Sequence, residues 1–304
     1  MRKLCGAFLA LGVAALALWI YYSLAARPQA LPDASPPRFT RLLVVAAHPD
    51  DETIGAGVLM ARTRRHGGEV RVLVVNTGIA AWRAGDHAAL FAERRAQTLA
   101  ALALAGVAPD NVTFLGIPDL STGEGFPALV ARLHAEIREF YPDAVAVSAW
   151  EGAHPDHDLS HYAVAVATER GTAVPVWEFP EYNRRYLRTG RAGFLQERWP
   201  FVDLGLTPEE TELRRAMMAC FPSEGPFVRR FGEQPELLRP LPRYDYRLPP
   251  DVMPYRKLFG EKGLYYWYRL VRPAVKGHPA GDARLSAPGA RGTVGPSRAP
   301  SAPG

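Results

Sequence analysis

Two short clusters of histidine and aspartate carry the chemistry of this chain: Ala47-His48-Pro49-Asp50-Asp51-Glu52 and, well downstream, His154-Pro155-Asp156-His157. Imidazole nitrogens and carboxylate oxygens form the donor set of a hydrolytic divalent-metal site, in which three protein ligands leave a position open for water. His48 and Asp51 stand three residues apart, and His157 can close a triad from the second cluster. An ion held there would lower the pKa of its water and polarise a substrate carbonyl. The reaction also needs a carboxylate to take the water's proton, and Asp50 stands beside Asp51 without having to be a ligand. His154 can donate to an oxyanion or protonate a leaving amine, while Asp156 can hold an imidazole in orientation. Mixed nitrogen and oxygen ligands suit zinc, and iron(II) also fits such a set. A plainer reading stays open at this point: Asp51 can serve only as a cap for the helix that follows it.

The elements that must position these residues are legible around them. Residues 41–47 and 144–148 read as buried strands, so each cluster follows a strand end. Two parallel strands of one sheet would bring both clusters to the edge where open α/β sheets bind their ligands. From residue 41 the signals alternate: helix 53–65, strand 69–76, helix 88–105, strand 112–115, helix 126–140, strand 144–147, helix 159–169 and strand 174–179. Repeated βα units of this length predict an α/β fold, a mostly parallel sheet with helices on both faces. Further on, Thr207-Pro208-Glu209-Glu210 is a capping signature that predicts a helix to about Cys220. Residues 221–260, rich in Pro, Arg and Tyr, are expected to be mostly loops, and the aromatic run 262–271 to pack on the body as a strand or helix. His161 follows His157 by about one helical turn and suits packing better than a fourth ligand position. His66, His87, His134 and His278 lack partners in the sequence and read as surface residues.

The formal charge of +5 resides at the chain ends: Arg2, Lys3 and Arg27 at one, Arg272, Lys276, Arg284, Arg291 and Arg298 against Asp282 at the other. The body is slightly acidic, which argues against a nucleic-acid partner, since that needs a basic face on the folded domain. Residues 4–26 carry no charge and include Trp19-Ile20-Tyr21-Tyr22. A run of ~20 apolar residues is long enough to span a bilayer, and the basic residues before it favour a cytoplasmic N-terminus. We therefore expect residues 1–26 to form one transmembrane anchor, with a cleaved signal peptide as the alternative because Ser23-Leu24-Ala25 resembles a cleavage site. Either way the body would lie on the extracytoplasmic side, secreted if the segment is cleaved. The expected organisation is anchor 1–26, Pro-rich linker 27–40, catalytic domain 41–270 and a disordered basic tail 271–304. Cys5 and Cys220 lie too differently to suggest a disulfide.

Ala-His-Pro-Asp-Asp-Glu after a hydrophobic strand, with His-Pro-Asp-His further on, resembles the LmbE-like or PIG-L family of zinc-dependent de-N-acetylases, over roughly residues 41–180. The resemblance implies a Rossmann-like fold, metal ligands at His48, Asp51 and His157, a general base at Asp50 and an oxyanion-stabilising histidine at His154. It also suggests Arg94 and Asp119 as substrate contacts, Asp119 because Gly116-Ile117-Pro118-Asp119 is similar to the family's Pro-Asp turn. The family's frequent Arg-x-x-Glu appears here as Arg94-Arg95-Ala96-Gln97, with Gln97 in place of the acid. Beyond Glu181 the resemblance ends.

The leading expectation is thus hydrolysis of the N-acetyl group of an N-acetylglucosamine-type sugar. An anchor would point to an envelope glycolipid or polysaccharide as substrate. The alternatives are an amidase of a small thiol conjugate or antibiotic precursor, which the anchor disfavours, and a non-catalytic carbohydrate-binding protein. A pure binder has no use for a proton acceptor beside the metal.

Overall fold

The computed structural model describes residues 37–152, 154–169, 174–195, 199–250 and 267–277. The first strand, β1 (Arg41–Ala46), is followed by helix α1 (Asp51–Arg65), strand β2 (Glu69–Ala80) and helix α2 (His87–Leu104). Strand β3 (Val112–Asp119), helix α3 (Phe126–Phe140), strand β4 (Ala144–Ser148) and helix α4 (Pro155–Glu169) come next, then strand β5 (Val176–Phe179) and the short helix α5 (Arg184–Thr189). The chain continues through strand β6 (Val202–Asp203), helix α6 (Pro208–Ala219), the short helix α7 (Gly225–Arg229) and strand β7 (Leu237–Pro240), and later a π-helical turn, Trp267–Val271, running into helix α8 (Arg272–Gly277).

The seven strands form one sheet in the order β3-β2-β1-β4-β5-β7-β6. Strands β1 to β5 pair in parallel, Val44 standing against Val72 on one side and Ala146 on the other. Strands β7 and β6 close one edge antiparallel. The residues of β1 from Leu42 to Ala46 are all buried, as a central parallel strand covered on both faces requires. Leu43 and Val45 meet α3 and α4, whereas Leu42, Val44 and Ala46 meet α1 and α2. The connection order reverses between β1 and β4, and at such a reversal the loops leaving the two strands diverge and open a crevice. Both histidine–aspartate clusters lie across those loops and the first turns of the helices that follow them.

Several expectations are corrected. No helix among the described residues is long and apolar enough to cross a membrane. The anchor expected over residues 1–26 falls outside the described residues, so the described fold offers no transmembrane helix in its support. The localisation drawn from that helix, a body held on the extracytoplasmic side with the membrane as partner, falls with it. The sheet is also mixed, since β7 and β6 come from a stretch expected to be loops or unread. Helix α1 starts at Asp51 and α4 at Pro155, earlier than residues 53 and 159, so Asp51 and His157 are first-turn helical residues. Strands β2 and β3 run on to Ala80 and Asp119. Trp267 and Val271 are buried beneath α3 and α4, and Val275, assigned to the tail, joins the same core.

Candidate metal centre

The first turn is stitched together by its own acids. Four residues link β1 to α1, and Asp50 closes the turn at φ 138° and ψ −30°, a conformation normally left to glycine. The His48 amide donates to Asp51 Oδ2 at 2.8 Å and the Asp50 amide to Glu52 Oε2 at 3.1 Å. Thr53 Oγ1 donates to Glu52 Oε1 at 2.9 Å, so the buried Glu52 braces the strained residue from inside. Asp50 occupies the N-cap position, yet its side chain makes no capping bond. Neither it nor Asp51 is spent on the helix end in the way the plainer reading supposed.

Three donor atoms from the two turns converge on one point. His48 Nδ1 stands 3.1 Å from His157 Nε2 and 3.3 Å from Asp51 Oδ2, and His157 Nε2 stands 3.1 Å from the same oxygen. Ligands at ~2.0–2.2 Å from a tetrahedral zinc are separated by roughly 3.3–3.5 Å. Asp51 Oδ1 is buried with no hydrogen-bond partner among the described residues. A triangle of lone pairs at this spacing, with an orphaned carboxylate oxygen beside it, fits a divalent cation. The other ring nitrogens are backed by carboxylates: His48 Nε2 lies 2.8 Å from Asp119 Oδ1 and 3.4 Å from Asp156 Oδ2, and His157 Nδ1 lies 3.1 Å from Glu181 Oε2. The Asp119 bond fixes the tautomer in which His48 offers a lone pair to an ion and makes that ring a better donor, whereas Glu181 Oε2 makes no hydrogen bond among the described residues and meets His157 as a charged neighbour.

The local field points the same way. Burial opposes a charged His48 ring, yet Asp119, Asp156 and Asp51 hold its pKa well above the usual 6.5. Burial pushes Asp51 up, but His157 and His48 outweigh it and hold the carboxyl well below the ordinary range. Asp119 is likewise held down, chiefly by His48 against burial. The cage thus favours a positive charge at its centre. Asp50 is different: burial, then Asp51, Glu224 and Glu52, raise its pKa well above that of a free carboxylate. Glu181 is raised by burial and by Asp51. Burial and the neighbouring His48 lower His154 to about 4, which leaves a neutral ring at neutral pH.

The structure brings His48, Asp51, His157, His154, Asp156 and Asp119 together, while Arg94 Nη1 packs beside Gly78, which also neighbours Pro49 of the first turn. The His154 ring packs edge-on against His48 at 4.7 Å between centroids. Asp156 is fully buried and accepts from the Leu120 amide at 2.6 Å, tying the end of β3 to the second turn. Asp119 faces the back of His48 rather than standing clear for a sugar. Arg94, on α2, pairs with Glu224, and Gln97 accepts from Ser223 Oγ at 2.6 Å, so the residue that replaces the family's acid ties α2 to the turn bearing Glu224. His161 is not a ligand: it bonds the Ser148 carbonyl at 2.8 Å and Tyr246 Oη at 3.0 Å. Sequence reasoning missed Glu181, Glu224 and Tyr182, whose hydroxyl stands 2.9 Å from His157 Nε2. The first and last had a signal, an acid and a tyrosine directly beyond a buried strand, in the same relation to β5 as the two clusters have to β1 and β4.

Residues 43–168 match the sequence model of the family described as PIG-L, GlcNAc-PI de-N-acetylase. A 1D-myo-inositol 2-acetamido-2-deoxy-alpha-D-glucopyranoside deacetylase of Mycobacterium sp. (strain KMS) is 34% identical over 169 residues, 47% of this chain and 53% of that protein. The deacetylase of the same description from Rhodococcus erythropolis (strain PR4 / NBRC 100887) is 29% identical over 218 residues, 58% of this chain and 74% of that protein. The chain spans about half the length of the Mycobacterium relative. Among solved structures, a deacetylase of teicoplanin biosynthesis in complex with teicoplanin aligns with a TM-score of 0.53 at 20% identity, over 66% of this chain and 98% of that one. A triple mutant of a deacetylase involved in the same pathway aligns at 0.52 and 24% identity, over 68% and 99%. These two likenesses support the fold.

Proposed function

We infer from the match of residues 43–168 to the PIG-L family of de-N-acetylases that the chain is a metal-dependent hydrolase that removes the acetyl group from a 2-acetamido-2-deoxyglucose unit. The observation that carries this reading is the buried triangle of His48 Nδ1, Asp51 Oδ2 and His157 Nε2, all within 3.3 Å, beside an Asp50 carboxylate that caps nothing. A sugar-binding protein would have no use for the second feature.

His48, Asp51 and His157 would hold the ion, zinc by donor type, with iron(II) compatible. When bound, it would polarise the amide carbonyl and make water a stronger nucleophile. Asp50 takes the water's proton, and burial and Asp51 raise its pKa well above that of a free carboxylate, which makes it a stronger base. Transfer of that proton to the amide nitrogen lets the C–N bond break, so that amide and water become amine and acetate. His154, neutral and buried, donates to the oxygen on which negative charge develops. Asp119 keeps His48 in the required tautomer, and Glu181 sets a negative charge beside His157 Nδ1. Arg94 on α2 and its ion-pair partner Glu224, in the turn after α6, would meet the sugar rather than its acetamide.

The relatives named above act on an N-acetylglucosamine joined to inositol, and a substrate of that type is the first to test here. An envelope glycolipid was favoured only because of the anchor, so that preference is dropped, and small acetylated conjugates are no longer disfavoured. Purified protein should be incubated with N-acetylglucosaminyl-inositol, free N-acetylglucosamine and an N-acetylated thiol conjugate, and the products assayed for primary amine. Amine from the sugars alone is the expected result. Amine from the thiol conjugate alone would move the chain to the amidase reading, and none from any would leave no support for hydrolysis.

A further inference from the structure

Helix α1 does not run straight from the metal-ligand turn. Ala56 departs from helical geometry, with φ −141° and ψ 18°, five residues beyond Asp51. Around that point two buried side chains from the far end of the chain reach into the helix. In a regular α-helix the Val58 amide would bond the Ile54 carbonyl. Here the Val58 amide donates to Glu236 Oε2 at 2.9 Å, and the Ile54 carbonyl accepts from Arg214 Nη2 at 2.7 Å. The Leu59 amide donates to Glu236 Oε1 at 2.7 Å, and Arg214 Nη1 closes the pair on Glu236 Oε2 at 2.7 Å. Arg214 Nε is fixed in turn by the Phe231 carbonyl at 2.9 Å. Carboxylate and guanidinium thus stand on the two sides of one helical link, and both are at most 1% exposed.

We propose that the Arg214–Glu236 pair is a positioning wedge, which sets the angle between the first turn of α1, with Asp50 and Asp51, and the rest of that helix. Side chains that enter the i→i−4 ladder are a recognised cause of helix kinks. The bend has an evident use. Gly55 lies so close to Phe179 at the end of β5 that a Cβ there would fall inside the ring. The bend therefore lays the ligand turn directly on the strand whose next residues are Glu181 and Tyr182. A straightened helix would lift Asp51 Oδ2 away from His157. Ordinary core packing does not need such a pair, since a buried ion pair can often be replaced by apolar groups without loss of stability. Both residues come from the stretch beyond Glu181 where the sequence offered no motif.

The proposal rests on the metal reading above, and its test separates the two. Zinc affinity of the metal-free full-length protein is measured against a chromophoric chelator for wild type, Glu236→Gln and Arg214→Lys, alongside circular dichroism and melting temperature. Glutamine keeps one acceptor but turns an NH2 toward an amide donor, and lysine cannot reach Glu236 and Ile54 together. Zinc affinity is expected to fall by roughly 10–100-fold in the folded variants, the usual effect of disturbing groups behind a metal ligand. A merely structural role would lower the melting temperature and leave zinc affinity in the folded protein unchanged, which would overturn the proposal. Hydrogen exchange tests the wedge without any metal: amides 53 and 54 should exchange faster in both variants relative to amides 60–65, and an unchanged ratio counts against it. If wild type itself binds no zinc, the metal reading fails, while hydrogen exchange still decides the wedge. Should Glu236→Gln not fold, Arg214→Lys, which keeps the charge pair, carries the same measurements.

Discussion

The two turns that meet at the metal centre solve the same problem differently. The β1–α1 turn supplies His48, Asp50 and Asp51 from four consecutive residues, at the cost of a left-handed Asp50 and a bent helix held by Glu52, Arg214 and Glu236. The β4–α4 turn supplies His154 and His157 from a longer connection leading into a helix buried along most of its length. It is held by a local bond, Gly152 to Asp158 at 3.1 Å, and by one from the end of β3, Leu120 to Asp156 at 2.6 Å. A ligand and a base on adjacent residues must reach one ion and the water on it, whereas adjacent side chains of a regular helix point about 100° apart, so Asp50 leaves helical geometry. A ligand and an oxyanion donor three residues apart fall on one side of a helical turn without distortion. The strain therefore sits where the chemistry is most crowded.

The largest expected effects are shared by the two turns. Asp51→Ala and His157→Ala should each lose the ion and drop turnover to background, checked by metal analysis of the purified variants. Retention of the ion by either would remove that residue from the ligand set. Next come the two residues that touch the reaction without holding the ion. Asp50→Asn should keep the ion while kcat falls by roughly 10²–10⁴, and His154→Ala by roughly 10²–10³. Equal metal loss in both would make them ligands instead. A third experiment separates the turns by stability. Asp50→Gly relieves the φ 138° backbone and a buried carboxylate, so the variant should be more stable by about 1 kcal/mol and inactive. A destabilised Asp50→Gly would show the strain to be absent.

The smallest effect lies in the second turn. Glu151 accepts from the Leu195 amide at 2.6 Å and from Asn183, and burial lifts its pKa from 4.5 to about 7. Between pH 4.5 and 7 the folded state keeps a proton that the unfolded state has released, so stability falls as pH rises through that window and levels off above it. Melting temperatures of wild type and Glu151→Gln at pH 5 and pH 8 should show a shallower decline in the variant. Parallel slopes would mean that Glu151 titrates normally.

Much of this arrangement was legible in sequence because it follows from short-range rules. Continuous apolar runs marked the parallel strands, and the spacing of βα units implied the sheet edge that unites His48 with His157. The Thr207 capping box opens α6 as its residues require. What could not be read depends on long-range partners. Glu236 and Arg214 look like ordinary surface charges in sequence, and only the tertiary fold buries them against α1. Strand β7 was hidden because Pro240 and its charged neighbours mask a strand that needs only to cap an edge. Asp119 was read as a sugar contact because a Pro-Asp turn carries no information on which face its carboxylate takes. The anchor read from the apolar N-terminal run lies outside the described residues and has no support among them.

The central claim is that the His48–Asp51–His157 triangle holds the ion that de-N-acetylation requires. It is tested most directly by titrating zinc into chelator-treated protein and following acetate release from 1D-myo-inositol 2-acetamido-2-deoxy-alpha-D-glucopyranoside, with His157→Ala in parallel. The account predicts that release rises with bound ion, saturates at one per chain and is absent in the variant. Release that is independent of the ion, or equal in His157→Ala, would contradict it.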